Sequence, residues 1–389
     1  MSVNPVHSVR PPEHVPPSKD GSGETVRLIR ESFAEVESQA EQLSQYFYGA
    51  LFSIAPDTRD LFPINMSAQR SRLLRALVHI VQLVDRPEEL APFLHQLDRD
   101  HRKFDVLARH YNAVGSALLA ALRRHLKEKW TPEVERAWTD AFAIVSRNMQ
   151  EAAAAESGRA WWYAQVVDHH RPTRDIAVVT VRPEHPVPYR AGNHLSVEIP
   201  QRPRLWRYLS PANAPRQDGT IEFHVRSVEG GWVSRAIVNH ARAGDTWRLG
   251  PALGTLAVHQ SSGRDLLLIG GGTGLSPLRA MLEDLSGWTH SRQVRLLFGG
   301  RTKDDLYCLA ELREFCAVNP WLTVTPVTEQ GKVPGGEQGT LAGVAAVRDA
   351  WNEHDVLVSG SPGMIRATVA RLLSIGIPSA RITYDPFTH

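Results

Sequence analysis

Cysteine is nearly missing from this chain, with two residues in 389, Cys308 and Cys316. Eight positions apart, they match neither a redox pair nor a zinc half-site. Both read as packing residues in a reducing compartment, so the expected location is cytoplasmic. Long apolar runs are lacking too. Nothing approaches the roughly 20 residues that a membrane-spanning helix needs, and the N-terminus has no charged-then-apolar secretion pattern. Neither sign of charge dominates: 44 Lys and Arg face 42 Asp and Glu, a formal net charge of +2. Without a basic run or an aromatic-basic alternation, nucleic acid is excluded as a partner and small molecules are expected.

What is present is length and a changing texture. The chain exceeds one ordinary hydrophobic core, so two or three domains are expected. Residues 1–23 hold five prolines and few large apolar side chains, too little to offset ordering entropy, and read as a disordered tail. Residues 24–156 are helical in pattern, with Leu43, Phe47, Leu51 and Ile54 on one stripe and Leu73, Leu77, Ile80 and Val84 on the next. The last helix of this block opens on Thr131 and Pro132 and should bury Val134, Trp138, Ala141, Val145 and Met149. Short β-rich runs follow over 160–260, among them AVVTV (177–181), LSVEI (195–199) and IEFHV (221–225), which reads as an antiparallel barrel. Over 263–389 strands alternate with helices, the pattern of a parallel sheet covered on both faces.

The segment DLLLIGGGTGLSP (265–277) runs an apolar strand into a glycine turn and a helix. Without side chains, Gly270, Gly271, Gly272 and Gly274 leave room for a pyrophosphate, Thr273 sits in the same candidate cofactor turn, and the helix N-terminus supplies positive dipole density. A dinucleotide is the natural ligand, although a glycine-rich turn alone is also a common structural device. The ending at Pro277 resembles the nicotinamide domain of the ferredoxin-reductase family. The segment LVSGSPGMIRATVARLLSIG (357–376) resembles that family as well, around Ser359, Gly360 and Pro362, with serine where a cysteine is usual. Upstream, LWRYLSPANAP (205–215) resembles its flavin signature: Arg207 pairs a pyrophosphate and Ser210 reaches the flavin edge. Leu209 stands where an aromatic cover is expected, so either Tyr208 substitutes by a register shift or the flavin loses a stacking partner. Gly230, Gly231 and Ser234 match the second phosphate turn, and Phe387 the terminal aromatic near the flavin, with Asp385 in place of a glutamate. Arg301 and Lys303 are candidates for a ribose phosphate, but Asp304 and Asp305 follow at once, which leans the nicotinamide preference towards NADH while leaving NADPH open.

Within the helical block, Leu90, Leu94, Leu97, His101 and Phe104 share a stripe, with Arg99, Arg102 and Lys103 assigned to the polar face. An inward histidine is either satisfied by a backbone carbonyl or serves as an axial iron ligand. The segments YFYGALFSIAPDTRDLF (46–62), INMSAQR (64–70), DRDHRKF (98–104) and HYNAVGSALL (110–119) resemble the globin half of the flavohaemoglobins. The resemblance makes His101 the haem-iron ligand, Phe62 the phenylalanine against the haem face, Tyr48 the distal tyrosine and Tyr111 the proximal-side tyrosine. It implies a multidomain fold: an all-α globin, an antiparallel β-barrel FAD domain, and an α/β parallel-sheet nicotinamide domain.

The cofactors so implied are haem b, FAD and NAD(P)H, the small-molecule partners dioxygen and nitric oxide, with a monomer favoured. In the family, NAD(P)H reduces FAD, FAD reduces haem, and oxy-haem converts nitric oxide to nitrate. Four departures mark a divergent member: Leu73 or Leu74 in place of the distal glutamine, Ala153 in place of the proximal glutamate, Leu209 and Ser359. They keep two alternatives open: a haem-flavin reductase acting on a peroxide or an organic donor, and an oxygen-binding or sensing globin kept ferrous by its own reductase.

Overall fold

The computed structural model describes residues 19–104, 106–155, 158–289, 292–347, 351 and 353–385. The helical region comprises α1 (Lys19–Glu37), α2 (Ala40–Ile54), a 3-10 turn at Pro56–Leu61, α3 (Ser67–Leu83), α4 (Pro87–His101), α5 (Ala108–Leu126) and α6 (Pro132–Ala155). Helix α1 starts at Lys19, inside the stretch expected to be tail, because the helix runs on N-terminal of its apolar stripe. The stripes bury Leu43, Phe47, Leu51, Leu77, Val134, Trp138 and Met149, whereas Ile54 ends exposed at the last turn of α2. Thr131 caps α6 as expected, its Oγ1 accepting from the Val134 N–H at 3.4 Å. Trp138 fastens α6 to α1 by donating its indole N–H to Ser32 Oγ at 2.9 Å, in a fully buried contact.

Next come β1 (Trp162–His170), β2 (Ile176–Pro183), β3 (His194–Glu198), β4 (Arg207–Leu209), β5 (Ile221–Arg226), helix α7 (Trp232–His240) and β6 (Thr246–Leu253). They form one antiparallel sheet in the order β4-β3-β6-β1-β2-β5. A bridge between Pro211 and Phe223 brings the two edges together, so the sheet curls into the expected barrel. Its interior is filled by Phe223, Trp247, Leu195, Val197 and Ile199.

The remaining elements are β7 (Asp265–Gly271), α8 (Leu275–Ser286), β8 (Val294–Gly300), α9 (Leu309–Val318), β9 (Leu322–Thr328), β10 (Glu337–Gln338), α10 (Leu341–Val347), β11 (His354–Ser359), α11 (Pro362–Ser374) and β12 (Ile382–Tyr384). All pairings are parallel, in the order β10-β9-β8-β7-β11-β12. Strand β7 reads as an unbroken apolar run because both of its faces are covered. Leu266 and Leu268 pack with α8 and α9, while Leu267 and Ile269 pack with α10 and α11. Strand β12 had no clear sequence signal, being three residues long between turns.

The chain divides into two compact units. One holds the residues up to Asp60, Asn65–His95 and Leu107–Ala152; the other holds Leu61–Ile64, Gln96–Val106 and everything from Ala153 onward. The end of α4, with His101, therefore packs within the unit that contains the barrel and the parallel sheet. Among the described residues no helix is long and apolar enough to cross a membrane. Replacing Ser32 with Ala would leave the buried Trp138 N–H without its acceptor, at a cost of about 1–3 kcal/mol. A lowered midpoint for helical unfolding, followed by circular dichroism in urea, is the expected result; an unchanged midpoint would mean that the indole finds another acceptor.

Candidate cofactor sites

In the parallel sheet, β7 neighbours β11 although three strands intervene in sequence, so the connections leave β7 on one side and β11 on the other. Ligands of such sheets bind in the crevice beyond the carboxyl ends of the strands at this reversal. Gly270 and Gly271 end β7, a 3-10 turn of Gly272, Thr273 and Gly274 follows, and Ser359 and Gly360 end β11. The glycines are needed first by the protein itself. A Cβ on Gly274 would stand 2.6 Å from both Gly360 N and Ser359 O, so the two turns rest on each other's backbone. A Cβ on Gly271 would lie 2.9 Å from the Met364 methyl, and Gly360 faces that same methyl. Gly272 has φ +54, a conformation that favours glycine. Helix α11 opens on Ser361, whose Oγ accepts from the Met364 N–H at 3.3 Å, with Pro362 in its first turn. Ser359 and Pro277 are buried, while Arg301, Lys303 and Asp304 are exposed. Asp305 is engaged by Arg226 and caps its turn by accepting from the Thr302 N–H at 3.0 Å.

On the barrel, Val197 pairs Arg207, Ser196 pairs Tyr208 and Leu195 pairs Leu209, with no bulge in β4. This register fixes the face of β4 that each side chain takes. Side chains alternate along a strand, so Arg207 and Leu209 share a face and Tyr208 takes the other. Leu209 packs on the barrel core. Tyr208 hydrogen-bonds Asp100, meets the His194 ring edge-on at 5.2 Å and lies beneath the Lys103 ammonium. Gly230 adopts φ +73, and Gly231 precedes α7, whose Ser234 donates to the Gly231 carbonyl at 3.3 Å. Phe387 lies outside the described residues, as does the side chain of Ala153.

A buried polar network joins β5 to the α8 and α9 side of the parallel sheet. His224 Nε2 donates to Glu222 at 2.8 Å and Nδ1 accepts from the Tyr307 hydroxyl at 2.7 Å, which fixes the neutral tautomer. Arg279 approaches Glu222 at 3.3 Å, also pairs Glu311, and donates to the Ala212 carbonyl at 2.6 Å. Burial alone would raise the Glu222 carboxyl, but His224 and Arg279 hold it down at about 2. Burial lowers His224 and pushes the Cys308 thiol up to about 12. Both cysteines are free, Cys308 buried, in keeping with their reading as packing residues.

In the helical region Tyr48 is buried on α2, its ring 5.0 Å from Phe47 and 5.9 Å from Phe52. Burial raises its phenol to about 12, and it is hydrogen-bonded to the Gln69 side chain on α3. Gln69 was not singled out by sequence, where the glutamine position fell at Leu73 or Leu74; both leucines are half-buried. Tyr111 on α5 and Phe62, just after the 3-10 turn, are half-buried as well. His101 Nδ1 lies 2.7 Å from the Leu97 carbonyl. A carbonyl can only accept, so Nδ1 is the donor of this contact and Nε2 is not engaged by it. Lys103, expected on the polar face, is buried instead, with 2 % of its side chain exposed, because Asp100 and three aromatic rings receive it.

Comparison with known proteins matches three domain families in the order of these regions: globin over residues 45–149, oxidoreductase FAD-binding domain over 164–257, and oxidoreductase NAD-binding domain over 268–370. The flavohemoprotein of Bacillus subtilis is 22% identical over 388 residues, covering 93% of this chain and 96% of its own. The crystal structure of a flavohemoglobin from Malassezia yamatoensis with bound FAD and heme superposes with a TM-score of 0.78 at 17% identity, covering 93% of this chain and 98% of its own. The chain belongs to the flavohaemoglobins. Its globin domain implies haem, and its reductase domains are those for FAD and NAD. The reductase part of this flavohaemoglobin is also 30% identical over 227 residues to the ferredoxin–NAD(P)+ reductase component of a naphthalene 1,2-dioxygenase system from Pseudomonas putida, covering 57% of this chain and 67% of that protein.

Two tests follow from the geometry of this flavohaemoglobin. Gly274→Ala forces the β7 turn away from Ser359 and Gly360, and a misplacement of about 1 Å can cost roughly a hundredfold in rate. Flavin reduction by NAD(P)H should slow by that order while FAD content and reduction by dithionite stay normal; unimpaired reduction by NAD(P)H would show that the two turns need not touch. The second concerns acid. Glu222 has a depressed carboxyl, so its contribution is present above the unfolded value near 4.5 and is lost as pH falls towards 2. His224 is held neutral, so acidification below its ordinary value of 6.5 favours the unfolded chain. Denaturation of the reductase region should become easier as pH drops from 7 towards 2, and Glu222→Gln should flatten the part of that slope below 4.5. A slope below 4.5 that survives in the variant would place that part of the acid sensitivity elsewhere.

Proposed function

We propose that the chain is an NAD(P)H-dependent oxidoreductase whose haem end combines dioxygen with nitric oxide to give nitrate, a nitric oxide dioxygenase. The observation that carries this reading is the hydrogen bond that orients the His101 ring. With Nδ1 spent on the Leu97 carbonyl, Nε2 is left as a donor of the kind iron takes from a globin helix. Once bound, the nicotinamide would supply hydride chemistry, FAD the exchange between two-electron and one-electron transfer, and haem a centre for the two gases. The chain's own residues bind, orient and polarise. The glycine turns at the ends of β7 and β11 offer backbone amides and no side chains to the nicotinamide pyrophosphate. Arg207 and the Gly230–Gly231 turn ahead of α7 serve the FAD pyrophosphate, with Ser210 directed at the flavin edge. Tyr48 stays protonated throughout the physiological range, since its phenol sits at about 12. It is therefore a permanent hydrogen-bond donor, oriented by Gln69. A carbonyl-bonded histidine donates less electron density than one held by a carboxylate.

The decisive measurement is nitrate formed per NAD(P)H consumed when the reduced, aerated protein meets nitric oxide. Stoichiometric nitrate is expected, and NAD(P)H turnover without nitrate would overturn the reading. His101→Ala should lose the Soret band or hold haem weakly, and a normal ferrous spectrum in that variant would remove His101 as the ligand. Tyr48→Phe should speed dioxygen release about tenfold to a hundredfold, the worth of one hydrogen bond of roughly 1.5–3 kcal/mol to a partly charged acceptor. An unchanged release rate would assign that hydrogen bond to Gln69.

A further inference from the structure

Three cations surround His101, and each is anchored on the reductase side of the chain. Arg99 donates to the Ala252 carbonyl at 3.2 Å and Arg102 to the Gly158 carbonyl at 2.6 Å. Lys103 is anchored differently. Its ammonium pairs Asp100 at 2.5 Å and stands 5.1, 5.3 and 5.0 Å from the ring centroids of Phe104, Trp206 and Tyr208. Trp206 is itself buried, with the Arg248 guanidinium also 5.3 Å from its ring. Tyr208 returns a hydrogen bond to Asp100. Gly250 on β6 makes room for the arrangement, since a Cβ there would collide with Ser196 Oγ and lie 3.5 Å from Lys103 Cδ.

Such a site is expensive to build. Burying an ammonium costs several kcal/mol, which its partners only partly offset, so a buried pair is weak evidence of a gain in stability. Its better-attested use is to fix a register, because the charge is tolerated only where all its partners meet. Here the partners come from two places. Asp100, Lys103 and Phe104 flank His101, while Trp206 and Tyr208 flank Arg207 on β4. The cage therefore holds the histidine segment in one register on the strand that carries the flavin arginine and leads to Ser210.

We propose that Lys103 is a positioning residue for the transfer of electrons from flavin to haem, its aromatic cage setting the placement of the His101 segment on β4. This rests on the reading that His101 ligates haem and Arg207 holds FAD. With both groups bound, the step concerned would carry one electron from the NAD(P)H-reduced flavin to ferric iron. No bond forms or breaks, and Lys103 neither gains nor loses a proton.

The test uses the full-length protein loaded with haem and FAD and reduced by NADH without oxygen, with flavin and haem absorbance followed separately. Lys103→Met keeps the stem and removes the charge. Its flavin should bleach at the wild-type rate while haem reduction slows about tenfold or more, given the sensitivity of rates to small misplacements. Lys103→Arg, which retains charge and stacks on aromatic faces, should recover haem reduction to within about threefold. Amide exchange over residues 96–104, measured on protein free of cofactors, should be faster in Lys103→Met than in the wild type. Should Lys103→Met not accumulate, Trp206→Leu removes one wall of the cage and is expected to show the same split. Haem reduction at the wild-type rate in the charge-free variant would overturn the proposal, as would an arginine variant as slow as the methionine one. A wild-type protein that takes up no haem, or whose haem NADH does not reduce, defeats the underlying reading and the proposal together, and does so before any variant is made.

Discussion

Two backbones pressed together at the ends of β7 and β11 set the plan of the nicotinamide region. Parallel strands cannot be joined by a hairpin, and the chain visits three other strands before β11 returns beside β7. The turns that leave these two strands must diverge to opposite faces of the sheet, yet start within contact of each other. Gly274 against Ser359 and Gly360 makes that start possible, and the Met364 methyl closes the space beside Gly271 and Gly360. The missing side chains thus let the protein meet itself, and on the proposed function the same bare backbone would face the nicotinamide pyrophosphate.

Elsewhere the organising constraint is compensation of buried charge. Glu222, His224, Tyr307 and Arg279 form a satisfied chain in which every donor faces an acceptor, and it spans from the barrel to the helices of the parallel sheet. Lys103 and Asp100 do the same between the histidine segment and β4. Both networks join regions that are far apart in sequence, and both gain geometric definition from the cost of leaving any member unpaired. The barrel acts as the hub, since β5 serves one network and β4 the other.

Architecture was legible in the sequence because it rests on periodicity. AVVTV, LSVEI and IEFHV became β2, β3 and β5, and Leu266 to Ile269 read as a continuous apolar run because both faces of β7 are covered. The glycine turns were legible for the same local reason, although part of their purpose was hidden: Gly274 answers to Gly360, 86 positions later, and no window of sequence contains both. Lys103 was misplaced because a helical wheel sends a lysine outward, whereas tertiary partners on β4 draw it in. Gln69 escaped notice because alignment on Tyr48, Phe62 and His101 passes over it, while the turn of α3 brings its amide to the Tyr48 phenol. Tyr208 was ambiguous until strand register assigned it a face.

The partition of the chain has a consequence for its modularity. By sequence the helical block looks like a detachable cassette ending near residue 156. In space, Gln96–Val106 is counted with the reductase, because Arg99, Arg102 and Lys103 all terminate on residues beyond that point. A helical fragment excised at the apparent boundary would keep His101 but strand these three cations, along with Asp100, in water. The histidine segment behaves as a graft: encoded in one module, and held in shape by the other.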